Sequence, residues 1–373
     1  MLGQIQTELL RNDLNKILSV VDKKNARPIL SYTLLSAKEG CFEFSATNLE
    51  VSAKVVTEAN VQRPGTYCVN ARNIYDIVRE LPNGEITFEM KEGSNFLNLT
   101  SNNIHYSLLV YNHEDFPQLN FNKVENEFTL RSEQLLDIIN KTSHAISLDE
   151  TRVYLNGIYM QEIDSRIRAV ATDGHRLSLL ETETISRQDT NSPLITGIIV
   201  PRKGVFELKK IAEAYPQKDL KISVDESFIY VNAQDKYFLS IRLIGREYPK
   251  YQAVIPNKTT FSFSTDRNSF SDAIKRIKIM SNEKSNGVRI KLKNSGMTIS
   301  ANHPSFGEAK EDIAVEYSGK EMEIGFNARY LLDALSSFDD GKINLELNNE
   351  LSPIIIKSES TPNHLGIIMP LKL

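Results

Sequence analysis

Two cysteines, Cys41 and Cys68, are all that the 373 residues contain. That is too few for a disulfide framework, and too few for a structural zinc site built on thiolates. No apolar run approaches the ~18–20 residues that a membrane helix needs. The first residues, Met1 to Glu8, lack the basic stretch and apolar core of a secretory signal, so the cytoplasm is the expected compartment. There is no Gly-x-x-x-x-Gly-Lys-Ser/Thr loop, no Gly-x-Gly-x-x-Gly turn and no Gly-x-Ser-x-Gly elbow. The six histidines (105, 113, 144, 175, 303 and 364) are scattered, none at metal-ligand spacing from another. Neither a metal nor another cofactor is expected.

The composition, 40% hydrophobic and 25% charged without low-complexity tracts, is that of a globular protein. At roughly 150 residues per domain the length suggests two or three domains. A weak repeat with a period near 125–130 residues favours three. Each copy opens on a helix with an apolar stripe: Leu14/Ile17/Leu18/Val21, Leu135/Ile138/Ile139/Thr142 and Phe270/Ala273/Ile274/Ile277. An alternating segment broken by a polar turn follows, as Phe44 to Val51, Val170 to Leu177 and Ile299 to Pro304. A second helix starts at Val69-Asn-Ala-Arg, at Val200-Pro-Arg-Lys and at Phe326-Asn-Ala-Arg, with Pro201 where a helix start tolerates proline. Asp115-Phe-Pro117, Glu247-Tyr-Pro249 and Met369-Pro370 close the copies. The expected fold is α+β, with two helices and about eight strands per repeat and boundaries at 1–124, 125–256 and 257–373.

The net charge of −4 speaks mildly against nucleic acid, but a binding surface needs only a local excess of Lys and Arg. Segments 10–24, 201–213 and 265–278 each carry four basic residues against two acidic ones, while the other three helices are neutral. The helices thus total +6 and the remainder −10. Positive helices gathered on one surface would attract phosphates without reading sequence. Taken singly, each is also what an ordinary solvated helix face looks like.

Ala171-Thr-Asp-Gly-His-Arg-Leu177 invites a catalytic reading, because Asp173 and His175 stand two residues apart between apolar runs. An acid and a histidine without a nucleophile or an oxyanion site make an incomplete centre, and Asp173-Gly174 is a common turn dipeptide. Two readings stand beside a phosphate-binding surface at this point: an enzyme centred on Asp173 and His175, and a repeat scaffold that binds only proteins.

The same stretch, with Tyr154-Leu-Asn-Gly157 before it and Val200-Pro-Arg-Lys-Gly204 after it, resembles the bacterial DNA polymerase III beta subunit family of sliding clamps. The likeness continues through Ser281-Asn-Glu-Lys284, Gly287-Val-Arg289, Glu321 to Asn327 and the ending Met369-Pro-Leu-Lys-Leu373. It implies three repeated clamp domains in a head-to-tail homodimeric ring, helices lining the hole and antiparallel sheets outside. It also implies a non-catalytic processivity factor on duplex DNA, whose partners are the clamp loader, polymerases and repair proteins, with no membrane. Matched to the family's motifs, the partner-peptide pocket would comprise Leu155, Thr172, Gly174, His175, Arg176, Leu177, Pro249, Val254, Ile367, Ile368, Met369, Pro370, Leu371 and Leu373. DNA contacts would fall to Lys23, Lys24, Arg27, Tyr154, Arg202 and Lys203, and the dimer interface to Tyr106 and Leu108 facing Ile279 and Met280. Ala253 and Lys372 stand where relatives often carry arginine, and Asn25-Ala26 replaces the usual glycines before Arg27.

Overall fold

The structure is a computed structural model, in which residues 1–21, 27–121, 127–183, 186–187, 193–294 and 296–372 are described. Each repeat follows one recipe: a strand, a helix, a meander of three strands with a returning fourth, a second helix, and a closing three-strand meander, to which the first two repeats add one short strand each, Asn60–Arg63 and Ser186–Arg187. The first helices are α1 (Thr7–Ile17), α3 (Ser132–Thr142) and α5 (Arg267–Lys278). The second helices are α2 (Ala71–Glu80), α4 (Arg202–Ala214) and α6 (Ala328–Ser336). None among the described residues is long and apolar enough to cross a membrane.

The recurring Asn-Ala-Arg is a helix cap. Asn70 Oδ1 accepts the Asn73 N–H at 3.0 Å, and Asn327 Oδ1 accepts the N–H groups of Arg329 and Tyr330 at 2.9 and 3.3 Å. Each supplies an acceptor that the first helical turn otherwise lacks. The apolar stripe of α5 is buried as expected, and so is that of α3. Thr142, the misfit in that stripe, is accommodated because its hydroxyl donates to the Ile138 carbonyl at 2.6 Å. In α1 the buried stripe is Leu10, Leu14 and Ile17, and the helix ends at Ile17, four residues before Val21.

By compactness the three repeats group into two units. One comprises Met1–Leu136, Thr184–Pro193 and Lys203–Leu243, the other Asp137–Glu183, Leu194–Arg202 and Ile244–Leu373. The first holds one antiparallel sheet of fourteen strands. Its seam pairs Val51–Glu58 of the first repeat with Tyr237–Arg242 of the second, from Val51↔Ile241 to Val55↔Tyr237. The second unit holds sheets of eight and four strands. There Arg176–Glu183 pairs with His364–Ile368, from Arg176↔Ile368 to Leu180↔His364. Both seams join the last strand of one repeat's first meander to the last strand of the next repeat.

A third pair of equivalent strands stays open. Gly307–Ile313 is the edge of the four-stranded sheet. Ile104–Tyr111 pairs along its length with Phe96–Ser101, but on its other side only Val110 and Tyr111 are paired among the described residues.

Candidate functional site

The turn from Thr172 to Arg176 is built by its own side chains. Thr172 Oγ1 donates to the Arg176 carbonyl at 2.6 Å and accepts the Gly174 N–H at 3.1 Å. Asp173 Oδ1 accepts the backbone N–H groups of His175 and Arg176 at 2.9 and 3.1 Å, and Oδ2 accepts Arg176 Nε at 3.0 Å. Gly174 carries φ +89°, a left-handed conformation that glycine adopts without strain. The first repeat makes the same turn: Thr47 Oγ1 donates to the Val51 carbonyl, Asn48 Oδ1 accepts from Glu50 and Val51, and Leu49 carries φ +74°. An asparagine does there what Asp173 does here, so the carboxylate's task is to hold a turn. Asp173 bonds the backbone of His175, leaving no acid–histidine dyad.

Arg176 is a junction. Its Nη1 donates to Asp333 Oδ2 on α6 at 2.6 Å, and its guanidinium lies 4.4 Å from the centroid of the Tyr330 ring. The exposed His175 ring stacks on the same tyrosine at 6.3 Å. Beneath the turn lies an apolar cluster that includes Leu155, Val170, Leu177, Ile199, Tyr248, Tyr251 and Ile367. Leu155, Leu177 and Ile367, expected together, are in it. Tyr248, stacked on Tyr159 at 4.8 Å, and Tyr251 were not foreseen; their only trace in the sequence is Glu247-Tyr-Pro249, read as a repeat ending.

At the rim, Pro249, Val254 and Met369 are exposed, while Pro370 and Leu371 are half-buried. The tail is pinned, since the Met369 N–H donates to the His175 carbonyl at 2.9 Å and that of Leu371 to Gly325 at 2.7 Å. Ile368 needs correcting as a pocket residue. Strand side chains alternate between faces, so it points away from Ile367, into the core with Phe270, Leu331 and Phe338. Leu373 lies outside the described residues. An apolar floor with exposed apolar rim residues and a fixed polar turn is what a short peptide needs to anchor side chains.

Three family models tile the chain: the N-terminal domain of the DNA polymerase III beta subunit over residues 1–120, its central domain over 129–250 and its C-terminal domain over 252–372. A beta sliding clamp of Caulobacter vibrioides is 31% identical over 375 residues, covering 99% of each chain. The chain belongs to the DNA polymerase III beta subunit family. Solved structures agree: the Pseudomonas aeruginosa beta subunit superposes with a TM-score of 0.93 at 30% identity over all of both chains. A clamp of the same organism bound to griselimycin matches with a TM-score of 0.92 at 29% identity, again over all of both chains. The chain is therefore a DNA sliding clamp and a processivity factor, and both the enzyme and the protein-only scaffold readings fall away.

In this clamp the basic helices are more fully paired than a count by segment conveys. Arg11 donates to the carbonyls of Leu81 and Val78 at 2.8 and 3.3 Å, and Lys16 pairs with Asp13 at 2.7 Å. On α5, Lys275 pairs with Asp272, Arg276 with Glu311 and Arg267 with Asp340. Lys203 on α4 reaches Glu50 at 2.7 Å. Several of these acids lie outside the helices, which is why a tally along helices missed them. Arg27, Tyr154, Arg202 and Lys203 are exposed, whereas Lys23 and Lys24 lie outside the described residues.

Of the expected interface residues, Tyr106 is exposed and Leu108 half-buried, on the open strand Ile104–Tyr111. Ile279 is 78% exposed, which removes it from any core, and Met280 is half-buried. Phe306 is also exposed, in the turn before the open strand Gly307–Ile313, with its ring centroid 4.3 Å from that of His303.

Proposed function

We propose that two copies of this clamp close head-to-tail into a ring around duplex DNA. The observation that carries the reading is a strand seam used twice within the chain and left open once. Ile104–Tyr111 and Gly307–Ile313 are the unused halves, and the first bears exposed Ile104, Tyr106 and Leu109. A long apolar strand edge is a liability unless another chain covers it. One head-to-tail contact repeated between two copies satisfies both edges and closes the ring. Tyr106 and Leu108 of one copy would then face Ile279 and Met280 of the other, with the repeats bounded at 1–124, 125–256 and 257–373. Sedimentation should give twice the mass of one chain; a monomer at micromolar concentration sinks the proposal.

Lys23, Lys24, Arg27, Tyr154, Arg202 and Lys203 serve phosphate contacts that ignore sequence, so enclosure, not affinity, keeps the ring on DNA. The 13-residue α4 spans about 20 Å and can bridge grooves instead of entering one. Clamps loaded on circular DNA should be lost once it is linearised, and retention on linear DNA would refute enclosure. Leu155, Thr172, Gly174 to Leu177, Pro249, Val254, Ile367 and the tail from Met369 receive peptides of the loader, polymerases and repair proteins, in the cytoplasm. Deleting residues 369–373 should reduce binding of an apolar clamp-binding peptide more than tenfold and leave the dimer intact. Loss of the dimer instead would reassign the tail.

A further inference from the structure

One aromatic ring stands in the middle of the basic face of α4. Phe206 is 56% exposed, while Val205, Leu208, Ile211 and Ala212 bury the opposite face. Lys203, Lys209 and Lys210 sit three and four residues away, the spacings that share a helix face. The Lys210 ammonium lies 5.0 Å from the Phe206 ring centroid and 3.9 Å from the Glu207 carboxylate. Glu207 is buried and accepts the Ser19 hydroxyl at 3.0 Å, which fixes the carboxylate that holds Lys210 beside the ring.

A phenylalanine has no polar group for water to solvate, and with only Lys210 beside its ring this one stays 56% exposed. Duplex DNA would use the lysines alone, because its bases are stacked away from a ring outside the grooves. Unpaired strands differ: cations track the phosphates while an aromatic ring takes the face of a base, whatever the base. We infer that Lys203, Phe206, Lys209 and Lys210 form a contact for single-stranded DNA, in which Phe206 stacks on an unpaired base. This rests on the reading that α4 faces the enclosed DNA.

The test measures anisotropy of labelled oligothymidylate and of a duplex of equal length, at low salt, with the full-length dimer. Phe206→Ala should weaken oligothymidylate binding about 5- to 150-fold, the range of one lost base stack, and leave duplex binding within about twofold. Phe206→Tyr should restore the single-strand affinity. Lys209→Glu with Lys210→Glu should weaken both ligands and flatten the salt dependence. Unchanged oligothymidylate binding by Phe206→Ala, or equal loss on both ligands, overturns the stacking contact alone when the lysine reversals still weaken duplex binding. Lysine reversals without effect on either ligand overturn the placement of α4 towards DNA, and the inference with it.

Discussion

Arg176→Ala should destabilise the clamp by about 3–5 kcal/mol, the cost of removing one partner from a buried ion pair. The Arg176 side chain is 10% exposed and Asp173 12%. Without the guanidinium, Asp173 keeps its two backbone donors but loses its counter-charge in a place that water scarcely reaches. Asp333, at 32% exposure, can turn to solvent and should add little. The contact with Tyr330 is lost as well, and with it a link between the 172–176 turn and α6. Asp173→Asn, as Asn48 does in the first repeat, should keep the turn and recover part of the loss when combined with Arg176→Ala. Urea unfolding of the four proteins closes this cycle. A drop below about 1 kcal/mol for Arg176→Ala would mean that the pair is solvated and the turn stands without it.

Local patterns were legible because they are set by neighbours in the chain. The caps Asn70 and Asn327 announce α2 and α6, and the alternation that includes Phe44 marks the strand Cys41–Thr47. Where a helix stops was less visible. The α1 stripe runs on to the buried Val20, but the chain leaves the helix at Ile17. The two compact units could not be foreseen, since pairings such as Leu239↔Ala53 join residues far apart and leave no trace in periodicity. They give one sheet of the middle repeat to each unit.

The candidate site was half legible. Leu155, Leu177 and Ile367 fall together because likeness to clamps placed them. The tyrosines under them and Asp333 beside Arg176 went unseen, having no spacing relation to the turn. Asp173 and His175 resembled catalysis because a sequence gives the proximity of residues and not the direction of their atoms. The carboxylate faces the backbone of His175, and the imidazole leans on Tyr330. Ile368 was misplaced by treating the tail as one continuous wall, when a strand must send alternate residues to opposite faces.

Taking the clamp from pH 7.5 to pH 5 should remove about 4 kcal/mol of stability through two buried histidines, His144 and His364. Ser178 Oγ donates to the Lys141 carbonyl at 2.6 Å, so His364 Nε2, 3.1 Å from that oxygen, must be the donor. Nδ1 of His364 then holds a lone pair with no hydrogen-bond partner among the described residues, and Phe338 stacks on the ring at 4.1 Å. Burial first, and nearby Lys141 and His144 next, push His364 down to about 3. Burial and then Arg176 push His144 down to about 4, against the opposing pull of Asp333 and Asp173. Both rings are neutral when folded and titrate near 6.5 when unfolded. The unfolded chain therefore takes up protons first, so stability is full above about pH 6.5 and falls as the pH drops towards the folded values. At pH 5, one and a half units below 6.5, each ring contributes about 2 kcal/mol of loss. Glu207 cannot supply this loss, because burial raises its carboxyl and a raised carboxyl favours the folded state on acidification. His364→Gln keeps an N–H for Ser178 without titrating, and should remove about half of the decline between the two pH values. Urea unfolding at pH 7.5 and pH 5 decides it. If the double variant His144→Gln with His364→Gln declines as steeply as the wild type, the acid sensitivity belongs to other groups.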